Sequence, residues 1–143
     1  MNRMSKKLNK KGFTLAELLI VVAIIAVLVV VSVPIFSSKL EKAREAADVA
    51  NMRAAKAAAV SLYLSDEDSV SKDKPYYYDA DNGILKTENK NIKAYGQGTK
   101  TKGGISYGNS YTEETEAKDK ILVVTITPPD DSNPDVQIDL KWD

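Results

Sequence analysis

The stretch KKGFTLAELLIVVAIIAVLVV, from Lys10 to Val30, places one carboxylate, Glu17, at the start of a long apolar run. The run continues uncharged from Leu18 to Phe36, with only Ser32 and Pro34 interrupting its apolar character. These residues would span about 28 Å as a helix, close to the thickness of the hydrocarbon core of a bilayer. An unpaired charge at the centre of a membrane costs about 2.5–3.5 kcal/mol, so an acid in such a segment usually has a function.

Composition disfavours catalysis. Residues 1–12 carry five basic side chains and no acid, although the formal net charge of the whole chain is zero. The chain contains no cysteine and no histidine, so it lacks a thiolate nucleophile, the commonest general base and the commonest metal ligand. We therefore predict that the protein is not an enzyme, with no catalytic residues, no cofactor and no metal site.

Two ordinary interpretations of the apolar run fit incompletely. A secretory signal peptide has an apolar region of about 7–15 residues that ends at a small-residue cleavage site. Here the run is longer and continues into PIFSSKLEK without such a site. A single-pass anchor with its basic end in the cytoplasm explains the run, but it leaves Glu17 and the Lys-Lys-Gly-Phe junction unexplained.

The sequence KKGFTLAELL resembles the prepilin signature of type IV pilins and pseudopilins, in which basic residues precede Gly-Phe-Thr-Leu and a Glu lies four residues beyond the Phe. The resemblance implies cleavage between Gly12 and Phe13 by a membrane-embedded prepilin peptidase, which also methylates the new amine of Phe13. Gly12 would let the peptidase approach the backbone closely. The resemblance further implies that Glu17 pairs with the Phe13 amine of a neighbouring subunit; pairing with its own Phe13 is the alternative.

The function implied by the resemblance is that of a structural subunit of a type IV pilus-like filament. Its partners would be further copies of itself, the prepilin peptidase and N-methyltransferase, and an inner-membrane assembly platform. The leader would lie in the cytoplasm and the head outside, first in the membrane and then in an extracellular or cell-envelope filament. The alternatives are a pseudopilin of a type II secretion or DNA-uptake system and a membrane-tethered binding module that does not polymerise.

We predict an α+β fold in which a long N-terminal helix, kinked at Pro34, packs on a small antiparallel sheet. Pro34 lacks an N–H donor and clashes with the carbonyl of Val30. The predicted divisions are a leader (1–12) that is removed, a transmembrane and filament-core helix half (13–36), an amphipathic helix half (37–64) and a globular head (65–143).

In the amphipathic half, small and apolar residues, mostly alanines, recur from Leu40 to Ala58 at helical spacing, which favours close approach of neighbouring helices in a filament. A second row is predicted to face the sheet and comprises Val49, Met52, Val60 and Leu64. In the head, Asn82-Gly83 indicates a hairpin, and two runs, 120–127 and 135–142, indicate strands joined as antiparallel neighbours.

Three further motifs have some features of binding sites. The glycine-rich segment 96–108 lacks the Lys-Ser/Thr of a phosphate-binding loop, so it is predicted to be a mobile surface loop. Residues 84–108 carry five lysines together with Tyr95 and Tyr107. Such a pattern can bind single-stranded nucleic acid or another anionic surface, but a solvated loop is the preferred interpretation. The acidic segment 130–135 is predicted to be a turn rather than a calcium site.

Overall fold

The computed structural model describes residues 12–100 and 103–143. Helix α1 (Leu15–Ser65) is followed by a short 3-10 turn (Glu67–Ser69) and four strands, β1 (Tyr76–Asp79), β2 (Ile84–Lys86), β3 (Leu122–Thr127) and β4 (Gln137–Trp142). The described residues fall into two compact units, one ending at Ser37 and one running from Ser38 to Asp143. One long helix with a four-stranded antiparallel sheet confirms the predicted α+β fold.

Helix α1 begins where the sequence supplies a capping residue and an apolar run. Thr14 precedes the first helical residue, and strong helix formers fill the segment after Phe36. The helix is continuous through Pro34, at which we expect the predicted kink because the ring removes one backbone hydrogen bond. By length and composition α1 could cross a membrane.

The sheet has the strand order β2-β1-β3-β4, and every neighbouring pair is antiparallel. The predicted hairpin is confirmed: β1 and β2 flank a loop in which Gly83 adopts a φ of 67°, a conformation that favours glycine. The predicted pairing of the last two strands is also confirmed, over six successive residue pairs from Leu122–Trp142 to Thr127–Gln137.

The core of the second unit lies between its helical segment and the inner face of the sheet. The helix contributes Val49, Met52, Ala55 and Ala59, and β3 contributes Leu122, Val124 and Ile126. Half of the predicted second row is therefore correct. Val60 and Leu64, however, are exposed, Leu64 to 77%. The buried stripe instead runs through Ala55 and Ala59, because small side chains allow the helix to lie close to the strands.

Candidate processing and assembly site

The predicted processing site lies just before the helix. Gly12 and Phe13 precede the first turn of α1, and both are exposed, Phe13 to 77%. A peptidase needs a backbone that it can reach, and the two residues that flank the predicted scissile bond are exposed and lie outside the helix. The rest of the predicted leader, residues 1–11, lies outside the described residues.

Glu17 closes the first turn of the helix together with Thr14. The backbone N–H of Glu17 donates to Thr14 Oγ1 at 3.1 Å, and the backbone N–H of Thr14 donates to Glu17 Oε2 at 3.4 Å. This reciprocal arrangement is a capping box, which satisfies two amide donors that the first turn would otherwise leave unpaired. Sequence reasoning missed this role, although the Thr-x-x-Glu spacing was its signal.

Before cleavage Glu17 has no ammonium partner at Phe13, since the nitrogen of Phe13 is bound in the peptide bond with Gly12. The carboxylate is exposed, and its described hydrogen bond goes to the Thr14 backbone. A capping carboxylate near a helix N-terminus is also favoured by the helix dipole. The geometry therefore leaves a second carboxylate oxygen available for a further cation.

The segment after Glu17 exposes its apolar side chains on all sides of the helix. Every residue from Leu18 to Phe36 is exposed in the isolated chain. A helix that is apolar all round has to be covered, by lipid or by other protein. Each large apolar side chain gains about 1.5–3 kcal/mol when it is removed from water, so the driving force for membrane insertion is large.

Residues 7–33 match the protein family described as the prokaryotic N-terminal methylation motif. This motif is the signature of type IV pilins and pseudopilins. The matched residues include Gly12, Phe13 and Glu17, so the pilin motif coincides with the exposed junction, the capping box and the apolar helix surface. The chain has no significant match among curated proteins or solved structures.

A second group of polar side chains was missed at the sequence level. Glu41, Glu45 and Asp48, here called the carboxylate row, lie on one face of α1, and each is at most 3% exposed. Asp48 accepts hydrogen bonds from the backbone N–H of Gln97 at 2.9 Å and of Gly98 at 2.7 Å. Its Oδ2 also accepts a bond from the Tyr111 hydroxyl at 2.8 Å.

The other two members of the carboxylate row also bind backbone amides of the glycine-rich segment. Glu41 Oε1 accepts a hydrogen bond from the N–H of Thr99 at 2.7 Å, and Glu45 Oε1 accepts a longer one from Ile105 at 3.4 Å. The predicted surface loop over 96–108 is therefore anchored rather than free at its start, where Gly96 and Gly98 are buried, whereas Gly104 and Gly108 are exposed. The spacing of acids at 41, 45 and 48, followed by apolar Met52 and Ala55, was the available signal.

Gly98 is required by close approach. A Cβ at this position would overlap the hydroxyl of Tyr111 and lie 2.7 Å from Asp48 Oδ2. Burial and the hydrogen bond to Asp48 both raise the pKa of the Tyr111 phenol, so it stays protonated and able to donate. The carboxylate row thus fixes the glycine-rich segment against α1.

The tyrosines proposed for nucleic-acid stacking are engaged elsewhere. The ring of Tyr95 makes edge contacts with two other rings. Its centroid lies 6.1 Å from that of Tyr78 and 5.6 Å from that of Trp142. Arg53 lies over the ring of Tyr107, 5.6 Å from its centroid. Tyr95 is therefore unavailable for base stacking, and these contacts give no support to a nucleic-acid surface. One of the five lysines, Lys102, lies outside the described residues.

The acidic segment 130–135 forms a turn. Asp130 Oδ1 accepts hydrogen bonds from the backbone N–H groups of Ser132 and Asn133, at 2.9 Å and 2.8 Å, and a third from the Ser132 hydroxyl. These bonds, led by that of the Ser132 side chain, lower the pKa of Asp130. Asp130 therefore acts as the acceptor that closes the predicted turn.

Proposed function

We propose that this chain is the structural subunit of a type IV pilus-like filament. In this proposal, prepilin peptidase cleaves between Gly12 and Phe13 and methylates the Phe13 amine. An inner-membrane assembly platform then polymerises the mature chain through α1. The observation that carries the proposal is the coincidence of the pilin motif with a helix whose apolar residues are exposed from Leu18 to Phe36.

The apolar part of α1 would be covered twice in succession. Before assembly the membrane covers it, with the basic leader in the cytoplasm and the head outside. After assembly the same surface lies against the helices of neighbouring subunits. Four exposed alanines of the predicted small-residue row support this packing, because small side chains allow helices to approach closely; they are Ala43, Ala50, Ala54 and Ala57.

Glu17 would fix the position of each subunit along its neighbour in the filament. After cleavage the free Phe13 amine of one subunit meets Glu17 of its neighbour, and the two charges compensate each other in an apolar environment. Loss of one partner of such a buried pair costs about 3–5 kcal/mol. The capping box leaves Glu17 Oε1 without a hydrogen bond to the described chain, so capping and pairing are compatible.

Three variants separate pairing from capping. Glu17→Gln keeps a residue that completes a capping box but removes the charge, whereas Thr14→Ala removes the cap and keeps the charge. If pairing dominates, Glu17→Gln and Glu17→Ala both impair filament assembly, while cleavage and membrane insertion continue. Thr14→Ala, the matched control, then assembles close to normally. Normal filament yield from both Glu17 variants, measured by electron microscopy of sheared filaments, contradicts the pairing.

Processing has a direct readout. Mass spectrometry of the membrane-extracted protein is expected to find a mature chain that begins at a methylated Phe13. Replacement of Gly12 by a bulky residue is expected to leave the five leader charges attached and to block assembly. A mature terminus within residues 33–39 would instead indicate ordinary signal-peptide cleavage.

A further inference from the structure

Strand β4 forms an edge of the sheet. It pairs with β3 on one side, and no described residue pairs with its other side. The six pairs with β3 run without a bulge, and the strand contains no proline. Natural proteins usually protect such an edge by bulges, prolines, short strands or charged side chains, because free backbone groups recruit further strands. Of these devices, β4 carries only the charged side chains of Asp139 and Lys141.

The free hydrogen-bonding groups of this edge can be assigned. Asp143 exchanges both backbone bonds with Ile121, at 2.9 Å and 3.1 Å. Because backbone direction alternates along a strand, Lys141, Asp139 and Gln137 also face β3. The N–H and C=O groups that point away from the sheet are therefore those of Ile138, Leu140 and Trp142.

We propose that this edge pairs antiparallel with β4 of a second copy, with Leu140 opposite Leu140. In this register Ile138 lies opposite Trp142, so all three outward-facing residues exchange backbone hydrogen bonds. On the exposed face, Asp139 of each copy lies opposite Lys141 of the other. The strand is thus self-complementary in charge, and opposite charges directly across a sheet are stabilising.

The neighbouring registers are disfavoured by the same two side chains. If Ile138 of one copy lay opposite Leu140 of the other, the two Asp139 side chains would lie opposite each other. If instead Leu140 of one copy lay opposite Trp142 of the other, the two Lys141 side chains would lie opposite each other. Like charges directly opposite each other are destabilising, so the charges select the register centred on Leu140.

The symmetry of this pairing says which copies can meet. The two-fold axis of an antiparallel strand pair is perpendicular to the sheet, so it reverses the direction of any helix that packs on the sheet face. Subunits of one filament all point the same way. If the proposed function holds, the edge therefore joins subunits of two different filaments that run in opposite directions.

Because the chain has no cysteine, disulfide trapping can test the register directly. Full-length Asp139→Cys and Lys141→Cys proteins are purified in detergent, where copies meet in any orientation, and are oxidised separately or as an equal mixture. Directly opposite residues in a pair without backbone bonds lie about 4.5 Å apart at Cα, within disulfide range. Identical positions lie diagonally, at about 7–8 Å, so we expect about tenfold more dimer in the mixture than in either single sample.

A charge exchange provides the control. In the same register, residue 137 of one copy lies opposite residue 143 of the other. A disulfide between Gln137→Cys and Asp143→Cys proteins therefore reports the pairing while positions 139 and 141 are varied. Asp139→Lys is expected to lower the trapped dimer about tenfold, because two attractive pairs become repulsive, and adding Lys141→Asp is expected to restore it.

The outcomes separate this pairing from the proposed function. Absence of trapped dimer in the mixture, or equal dimer in the single samples, overturns the proposed pairing even where filaments assemble normally. Failure of the charge exchange to restore the dimer also overturns it. Selective trapping in the mixture with restoration supports the pairing, and it does so in extracted protein that has formed no filament.

Discussion

Asp48→Asn is the most direct test of the carboxylate row. The substitution keeps the size of a side chain that is fully buried, but it replaces one of two acceptor oxygens by a donor. If the remaining oxygen stays toward Gly98 and Tyr111, the new amide faces the N–H of Gln97, and that bond is lost. The two remaining bonds become bonds to a neutral acceptor.

The magnitude follows from these three bonds. Hydrogen bonds to a charged group are worth about 1.5–3 kcal/mol each, against about 0.5–1.5 kcal/mol for neutral ones. The substitution removes one hydrogen bond and weakens two. This destabilisation is partly offset, because one fewer charge is buried beside Glu41 and Glu45. We expect the free energy of unfolding to fall by about 2–4 kcal/mol, a large share of the about 5–15 kcal/mol of a typical domain.

The assay combines denaturant unfolding of the full-length protein in detergent with hydrogen exchange of peptides that span residues 96–111. Exchange at Gln97 and Gly98 is expected to accelerate in Asp48→Asn, because these amides lose their acceptor or hold it less tightly. The matched control is Asp66→Asn, the same change at an exposed carboxylate. Equal stability and equal exchange in the two variants would refute the role of Asp48 as an anchor.

Three further predictions concern the head. Tyr95→Phe removes a hydroxyl that donates to the Tyr78 carbonyl at 2.8 Å and accepts from the Leu122 N–H at 2.9 Å. We expect urea unfolding to show that the free energy of unfolding falls by about 1–3 kcal/mol, and an unchanged value would contradict the role of these bonds. The Asn82 amide and the Lys86 ammonium lower the pKa of Asp79 to about 2, below its unfolded value. The stability that Asp79 contributes is therefore present above about pH 4 and lost as the pH falls toward 2. In an acid titration followed by circular dichroism, the stability of Asp79→Asn should therefore decline less than that of the unsubstituted protein. Gly98→Ala should lower the melting temperature more than Gly104→Ala, because a Cβ at Gly104 meets no atom within 4 Å. The φ of 87° at Gly104 still disfavours alanine, so a smaller effect is expected there as well. Equal effects of the two substitutions would contradict the close approach at Gly98.

The features that the sequence predicted well are those set by local patterns. The apolar run predicts the N-terminal helix, although its start at Leu15 depends on the capping box that sequence reasoning missed. The alternation of Val136, Ile138 and Leu140 with polar residues identifies β4. The hairpin after β1 depends on a glycine at one turn position. In each case the determining residues lie within a few positions of one another, so no knowledge of the tertiary structure is required.

The features that the sequence did not predict depend on contacts distant in the chain. Asp48 and Gly98 are 50 positions apart, and neither the burial of the acid nor that of the glycine follows from its neighbours. An acid on a helix face is ordinarily solvated, so the carboxylate row resembles a polar stripe until its amide donors are known. The exposure of Leu64 has the same origin, because the position of the sheet decides which stripe of the helix is covered.

Glu17 and Asp48 show two ways of placing an acid in apolar surroundings. Asp48 is fully buried and fully satisfied within the chain, with three donors on its two oxygens. Glu17 is only partly satisfied, by one long bond to Thr14, and the apolar helix that follows it has no cover within the described chain. A carboxylate that is only partly satisfied next to a surface that must be covered is stabilised when the cover also brings a cation. The proposed cleavage creates one at Phe13, so the event that removes the leader would also supply the partner that Glu17 lacks.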